Sequence, residues 1–80
     1  WKLTKNKTGI ERNFRFKTFK NTWAFMSEIA AECNKPQVRH HPEWSNVYNF
    51  TRVRWTTHWP EGISGKDLEM ARFCDEVARR

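Results

Sequence analysis

From Gly9 onward, apolar and polar residues alternate. Ile10, Phe14 and Phe16 share one parity, and Glu11, Asn13, Arg15 and Lys17 take the other. A repeat of two marks a strand with one buried face, and Arg12 is its one misfit. Before it, residues 1–8 are polar apart from Trp1 and Leu3, which predicts a short strand and a turn of Lys, Asn and Thr. The period then changes. Phe19, Trp23, Met26, Ala30 and Cys33 are spaced as on one face of a helix, and Phe25 and Ile29 broaden the stripe. Thr18 is suited to cap this helix and Pro36 cannot continue it.

Two further strand-like runs follow. Trp44, Tyr48 and Phe50 share a parity in the first; Val53 and Trp55 share one in the second, against Arg52, Arg54 and Thr56. The polar break at Asn49–Thr51 is the turn expected between them. "WPEGISGKD" then reads as a loop. In it, Ser64 followed three residues later by Asp67 has the spacing of a capping box. Leu68, Ala71, Cys74 and Ala78, widened by Met70, Phe73 and Val77, make a last helical stripe, and Arg79 and Arg80 suit its negative end. The predicted order is β-β-α-β-β-α. Hairpins favour antiparallel pairing, so the fold class is α+β: a four-stranded antiparallel sheet with helices packed on one face.

Eighty residues predict a single domain, 1–80, with a modest core. Twelve aromatic residues are many for this length and could fill the core or build a subunit interface; with two wide apolar helix stripes they predict a homo-oligomer, most simply a dimer. The net charge of +6 suits a soluble basic surface better than a nucleic-acid footprint, because acidic residues are interspersed and no long basic run occurs. Cys33 and Cys74 are far apart without C-x-x-C spacing and read as free buried thiols in a reducing compartment, hence the cytoplasm. Asn6 and Asn49 match the N-glycosylation pattern by chance on this reading. No apolar run is long enough to span a membrane.

The stretch "RHHPEWSNVYN" sets His40 and His41 side by side before a strand. Adjacent imidazoles are poor core material, since each has two ring nitrogens to satisfy and titrates near neutral pH. A turn centred near residue 50 makes paired positions sum to about 100, so His58 is expected opposite residues near 42. All three histidines would then meet at one end of one hairpin. They could be surface residues gathered by chance, metal ligands, or acid–base groups. Zinc is disfavoured, because adjacent histidines seldom point at one ion and no carboxylate stands at helical spacing. Acid–base chemistry suits imidazoles around one pocket. Trp44, Trp55 and Trp59 are near enough to wall it, and Thr56 and Thr57 could hold a polar heterocycle.

"HHPEWSNVYN", then "TTH" and "GISGKDLEMARF", closely resembles the pterin-4a-carbinolamine dehydratase family, also known as the dimerisation cofactor of a homeodomain transcription factor. "FRFKTFKNTWAFMSEIA" is similar to that family's strand-to-helix segment. The resemblance implies the sheet-and-helix fold above, with an N-terminal helix before a chain that here starts at Trp1. It implies loss of water from a 4a-hydroxytetrahydropterin, with no metal or organic cofactor. It assigns that chemistry to His40, His41 and His58. Arg39, Pro42, Trp44, Thr56, Thr57 and Trp59 are the expected substrate contacts. A dimer or tetramer is implied, as are tetrahydrobiopterin recycling, a transcription-factor partner and a nuclear as well as cytoplasmic location. One departure stands out: Pro36 stands where family members often carry an acidic or another polar residue, and Arg39 where Asp is common, so the histidines are expected to lack an acidic partner.

Overall fold

The alternation after Gly9 and the two helical stripes assemble into one sheet with one helical layer. The computed structural model describes residues 1–58 and 60–80. Its elements are β1 (Lys2–Leu3), β2 (Ile10–Arg15), α1 (Phe19–Cys33), β3 (Glu43–Val47), β4 (Phe50–Trp55) and α2 (Gly65–Ala78). All pairings are antiparallel and the strand order is β1-β2-β4-β3. The chain leaves β2 through α1, starts again at the far edge with β3, and returns as β4 into the gap. β4 is therefore central, and Val53 and Trp55 are fully buried beneath the helices.

Arg12, the misfit in the alternation, lies on the helix side of β2. Its guanidinium pairs with Asp75 of α2 and covers the Phe14 ring at 4.3 Å. The position thus keeps the strand's parity while reaching the rim of the core, where a long side chain can lay its stem on apolar surface and keep its charge wet. The indole of Trp1 donates to the same Asp75 carboxylate at 2.8 Å.

Thr18 caps α1 as expected: extended at φ −138°, it accepts the Asn21 amide at 3.1 Å. The buried face of α1 keeps Met26 and Cys33 of the expected stripe and the Phe25 and Ile29 that broadened it, but not its first two residues. Thr22, Phe25, Met26, Ile29 and Cys33 are inside, whereas Phe19 and Trp23 are 46% and 57% exposed and stack on each other at 6.4 Å. The two rows share Met26 and Cys33, so periodicity alone could choose either. Phe14 and Phe16 decide: their rings meet Phe25 at 4.8 and 4.9 Å and turn that row inward. In α2 the inward row is Asp67, Met70, Ala71, Cys74 and Val77, and Leu68 is exposed.

The hairpin register also differs. Trp44 pairs with Val53 and Val47 with Phe50, so the turn is Tyr48–Asn49, with Tyr48 left-handed at φ 51°. Phe50 opens β4 on the outer face under Arg15 instead of sharing Trp44's inward side. Asn46 fixes the turn by donating to the Tyr48 and Phe50 carbonyls at 3.1 and 2.9 Å. That side-chain clamp makes a tight turn workable without glycine.

Cys33 and Cys74 are buried free thiols. Burial pushes them up to about 11 and about 12. With almost no thiolate at neutral pH they are inert core groups.

The rotation of α1 has a direct check. Phe25→Ala should cost about 3–5 kcal/mol of unfolding free energy. Trp23→Ala should cost under about 1 kcal/mol in the isolated chain at low concentration. Urea unfolding of both variants measures the contrast, and equal losses would contradict the observed face.

Candidate functional site

Ser64 and Asp67 form the capping box expected from their spacing, and this box is where the site begins. The Ser64 amide donates to Asp67 Oδ2 at 2.8 Å, and the Thr57 hydroxyl donates to the same oxygen at 2.8 Å. Asp67 is completely buried. Its other oxygen, Oδ1, lies 2.5 Å from His40 Nε2. Burial pushes the carboxyl up, but the bonds from His40, the Ser64 amide and Thr57, together with the charge on His40, outweigh it. Asp67 is held below its ordinary value.

His40 is thereby fixed. Its side chain is 13% exposed, and its ring stacks on Trp55 at 5.7 Å and 16°. With Nε2 on Asp67, the Nδ1 edge is the one left for other chemistry among the described residues. The expectation that the histidines lack an acidic partner is corrected here. The acid comes from the first turn of α2, not from upstream of His40, and Pro36 and Arg39 are both exposed. Asp67 is the site residue that its spacing in the sequence marked as a helix cap. The signal was present as a cap residue able to spare one oxygen, but nothing in spacing says where that oxygen points.

His41 is exposed, and its Nε2 stands 3.4 Å from Asn34 Oδ1, a long contact at the end of α1. His58 follows β4 with its side chain 58% exposed. Its Nε2 lies 3.9 Å from Glu43 Oε2, too far for a hydrogen bond. Glu43 is held through its other oxygen by Arg54 at 2.8 Å. Arg54 also donates to Thr8 at 2.9 Å and lies so close over Gly9 that a Cβ there would come within 2.9 Å of it. The three histidines thus share one end of the sheet, where β3 begins and β4 ends. The expected facing of His58 and residue 42 is not made: the ladder ends at Glu43–Arg54, and Thr57 bridges to Gly62 instead. His40 turns to the helix side through Asp67 and Trp55, while His58 stands beside Glu43 of the open face.

Of the expected contacts, Pro42 and Trp44 are half-buried, and Trp44 packs on the core. The hydroxyls of Thr56 and Thr57 are not free for a heterocycle. Thr56 is buried and donates to the Thr8 carbonyl at 2.6 Å; Thr57 serves Asp67 and meets Ser64 Oγ at 2.7 Å. Both threonines build the site's frame. Arg39 is exposed at φ 43°, and Trp59 lies outside the described residues. Among the described residues no three His, Cys, Asp or Glu side chains are grouped to hold a metal ion.

Residues 1–77 match the family described as pterin 4 alpha carbinolamine dehydratase. The chain belongs to this family. Proteins provisionally named pterin-4-alpha-carbinolamine dehydratases resemble it along nearly its whole length. One from Novosphingobium aromaticivorans is 44% identical over 75 residues, covering 94% of this chain and 76% of that one. One from Burkholderia multivorans is 37% identical over 78 residues, covering 98% and 74%. A crystal structure of a transcriptional coactivator/pterin dehydratase from Brucella melitensis superposes with a TM-score of 0.92 at 35% identity, covering 98% of this chain and 81% of that one. For this dehydratase-family chain, the four-stranded antiparallel sheet under two helices is therefore the family fold.

The lowered Asp67 carboxyl sets an acid dependence. A depressed carboxyl adds stability above its unfolded value, near 3.8, and loses it as pH falls through the folded value. Asp67→Asn should destabilise the fold by about 1–3 kcal/mol at neutral pH, because it disrupts the hydrogen bonds that converge on a buried carboxylate. The gap from wild type should shrink as pH falls below the unfolded value. Denaturant titrations at stepped pH measure it, and a gap independent of pH down to the acid limit would contradict the ionised carboxylate.

Proposed function

We propose that the protein dehydrates a 4a-hydroxytetrahydropterin to the quinonoid dihydropterin, using His40 and His58 as acid–base groups. The observation that carries this reading is His40: a buried carboxylate holds its Nε2, an indole supports its ring, and its Nδ1 edge remains for a substrate. In the reaction the C4a–O bond breaks as the hydroxyl takes a proton and leaves as water. The neighbouring ring nitrogen gives up its proton, and the C4a–N double bond forms. An imidazole can give the first proton and another take the second. Asp67 orients His40 and stabilises its cationic form when it carries a proton. His58, exposed beside Glu43, is suited to exchange protons with water between turnovers. His41 would orient the pterin by hydrogen bonding. Recycling of tetrahydrobiopterin is the role we assign to this activity, in the cytoplasm, where free thiols persist.

The test is stopped-flow dehydration of the 4a-hydroxytetrahydropterin with and without the protein. His40→Ala and His58→Ala should each lower kcat by about 10²-fold with the fold intact. His41→Ala should mainly raise KM. The double variant of His40 and His58 should lose less than the product of the single losses. Wild-type kcat in His58→Ala would confine the chemistry to His40.

The active form is proposed to be a homo-oligomer. Leu3, Trp23, Val47, Tyr48 and Leu68 are all at least 46% exposed, and the outer edge of β3 has no strand beside it among the described residues. A coactivator role, named for the Brucella protein, would draw on the same apolar surface. Light scattering should give a dimer or tetramer at micromolar concentration, and a monomer would remove this reading.

A further inference from the structure

The site geometry leaves one residue of α2 without a reason to be where it is. Lys66 stands in the first turn of α2, at the positive end of the helix dipole, where a cation is disfavoured. Its side chain does not turn to a carboxylate. Its ammonium donates to the Val38 carbonyl at 2.5 Å. The next residue, Asp67, takes His40 Nε2. Two adjacent residues of α2 therefore grip the chain at positions 38 and 40. Between them Arg39 is left-handed at φ 43°, a conformation disfavoured in a residue with a Cβ.

The segment is also held upstream. The amides of Val38 and Arg39 both donate to the Lys35 carbonyl, at 2.9 and 3.1 Å. The turn that follows α1 thus supplies one anchor and the start of α2 the other two. The backbone of Arg39 is the element that must be forced. Without a hold on the Val38 carbonyl, the left-handed residue could relax and swing His40 off Asp67 and Trp55.

We propose that Lys66 is a positioning residue for His40. By holding the Val38 carbonyl it keeps Arg39 left-handed, and so presents the His40 ring to Asp67 before substrate arrives. The catalytic consequence rests on the dehydratase reading above; the structural one does not.

The experiment compares Lys66→Met, which keeps the stem and removes the donor, with Lys66→Arg, which keeps a cationic donor. Lys66 is exposed, so both variants should fold, and circular dichroism checks this. NMR of histidine-labelled protein without substrate reads the exchange with water of the His40 ring proton bonded to Asp67. In Lys66→Met this exchange should quicken, and kcat should fall by about tenfold with KM within about twofold, as for a loss felt in the transition state. Lys66→Arg should restore both. Wild-type exchange and kcat in Lys66→Met would overturn the proposal, as would a Lys66→Arg protein that loses as much as Lys66→Met. If the ring proton responds as expected but the wild-type protein dehydrates nothing, the positioning role stands and the dehydratase reading falls.

Discussion

The buried carboxylate of Asp67 is the constraint on which this structure turns. A fully buried charge is tolerated only when hydrogen bonds and an opposite charge replace the water it has lost. Here the replacements come from three places in the chain: the Ser64 amide, the Thr57 hydroxyl and the His40 ring. Satisfying one carboxylate therefore ties the start of α2 to the end of β4 and to the loop that enters β3. The same contacts immobilise an imidazole at the rim of the core. Stability and the proposed chemistry share one group, and neither can be altered there alone.

The sheet decides where that group sits. Because β4 is central, its last core residue, Trp55, lies under both the helical layer and the His40 ring. The row Glu11, Arg54 and Glu43 crosses the outer face at the same end. Arg54 neutralises Glu43 there, and Gly9 leaves room for its guanidinium against the backbone. His40 and His58 thus meet two different electrostatic surroundings within one sheet end. One is a dry carboxylate with every oxygen engaged; the other is a wet carboxylate already shared with an arginine. Imidazoles in unlike surroundings are suited to unlike proton-transfer tasks.

Strand alternation, the capped start of α1 and the capping box of α2 were legible in the sequence because each is a local rule with a short reach. Thr18 needs only the Asn21 amide, and Ser64 needs only Asp67. The motif from His40 to Asp67 was legible for another reason: residue types and spacings recur within a family, and the match over residues 1–77 carries them. Where two local solutions were equally good, spacing could not choose between them. The stripe through Phe19 and Trp23 is as periodic as the one through Thr22 and Phe25, and the break at Asn49–Thr51 is as polar as the true turn.

The sequence by itself determined which elements form, their order, and that three histidines gather at one end of a sheet. Periodicity, caps and turns act over a few residues, and those outcomes need nothing more. Only the tertiary structure decided which row of α1 faces inward, because Phe14 and Phe16 had to be in place to meet Phe25. It alone set the strand order and the two sides to which His40 and His58 turn. It also gave Asp67 its second task. A carboxylate buried by the packing of α2 on the sheet needs a partner for its free oxygen, and the fold delivers His40 to it across twenty-seven residues of chain.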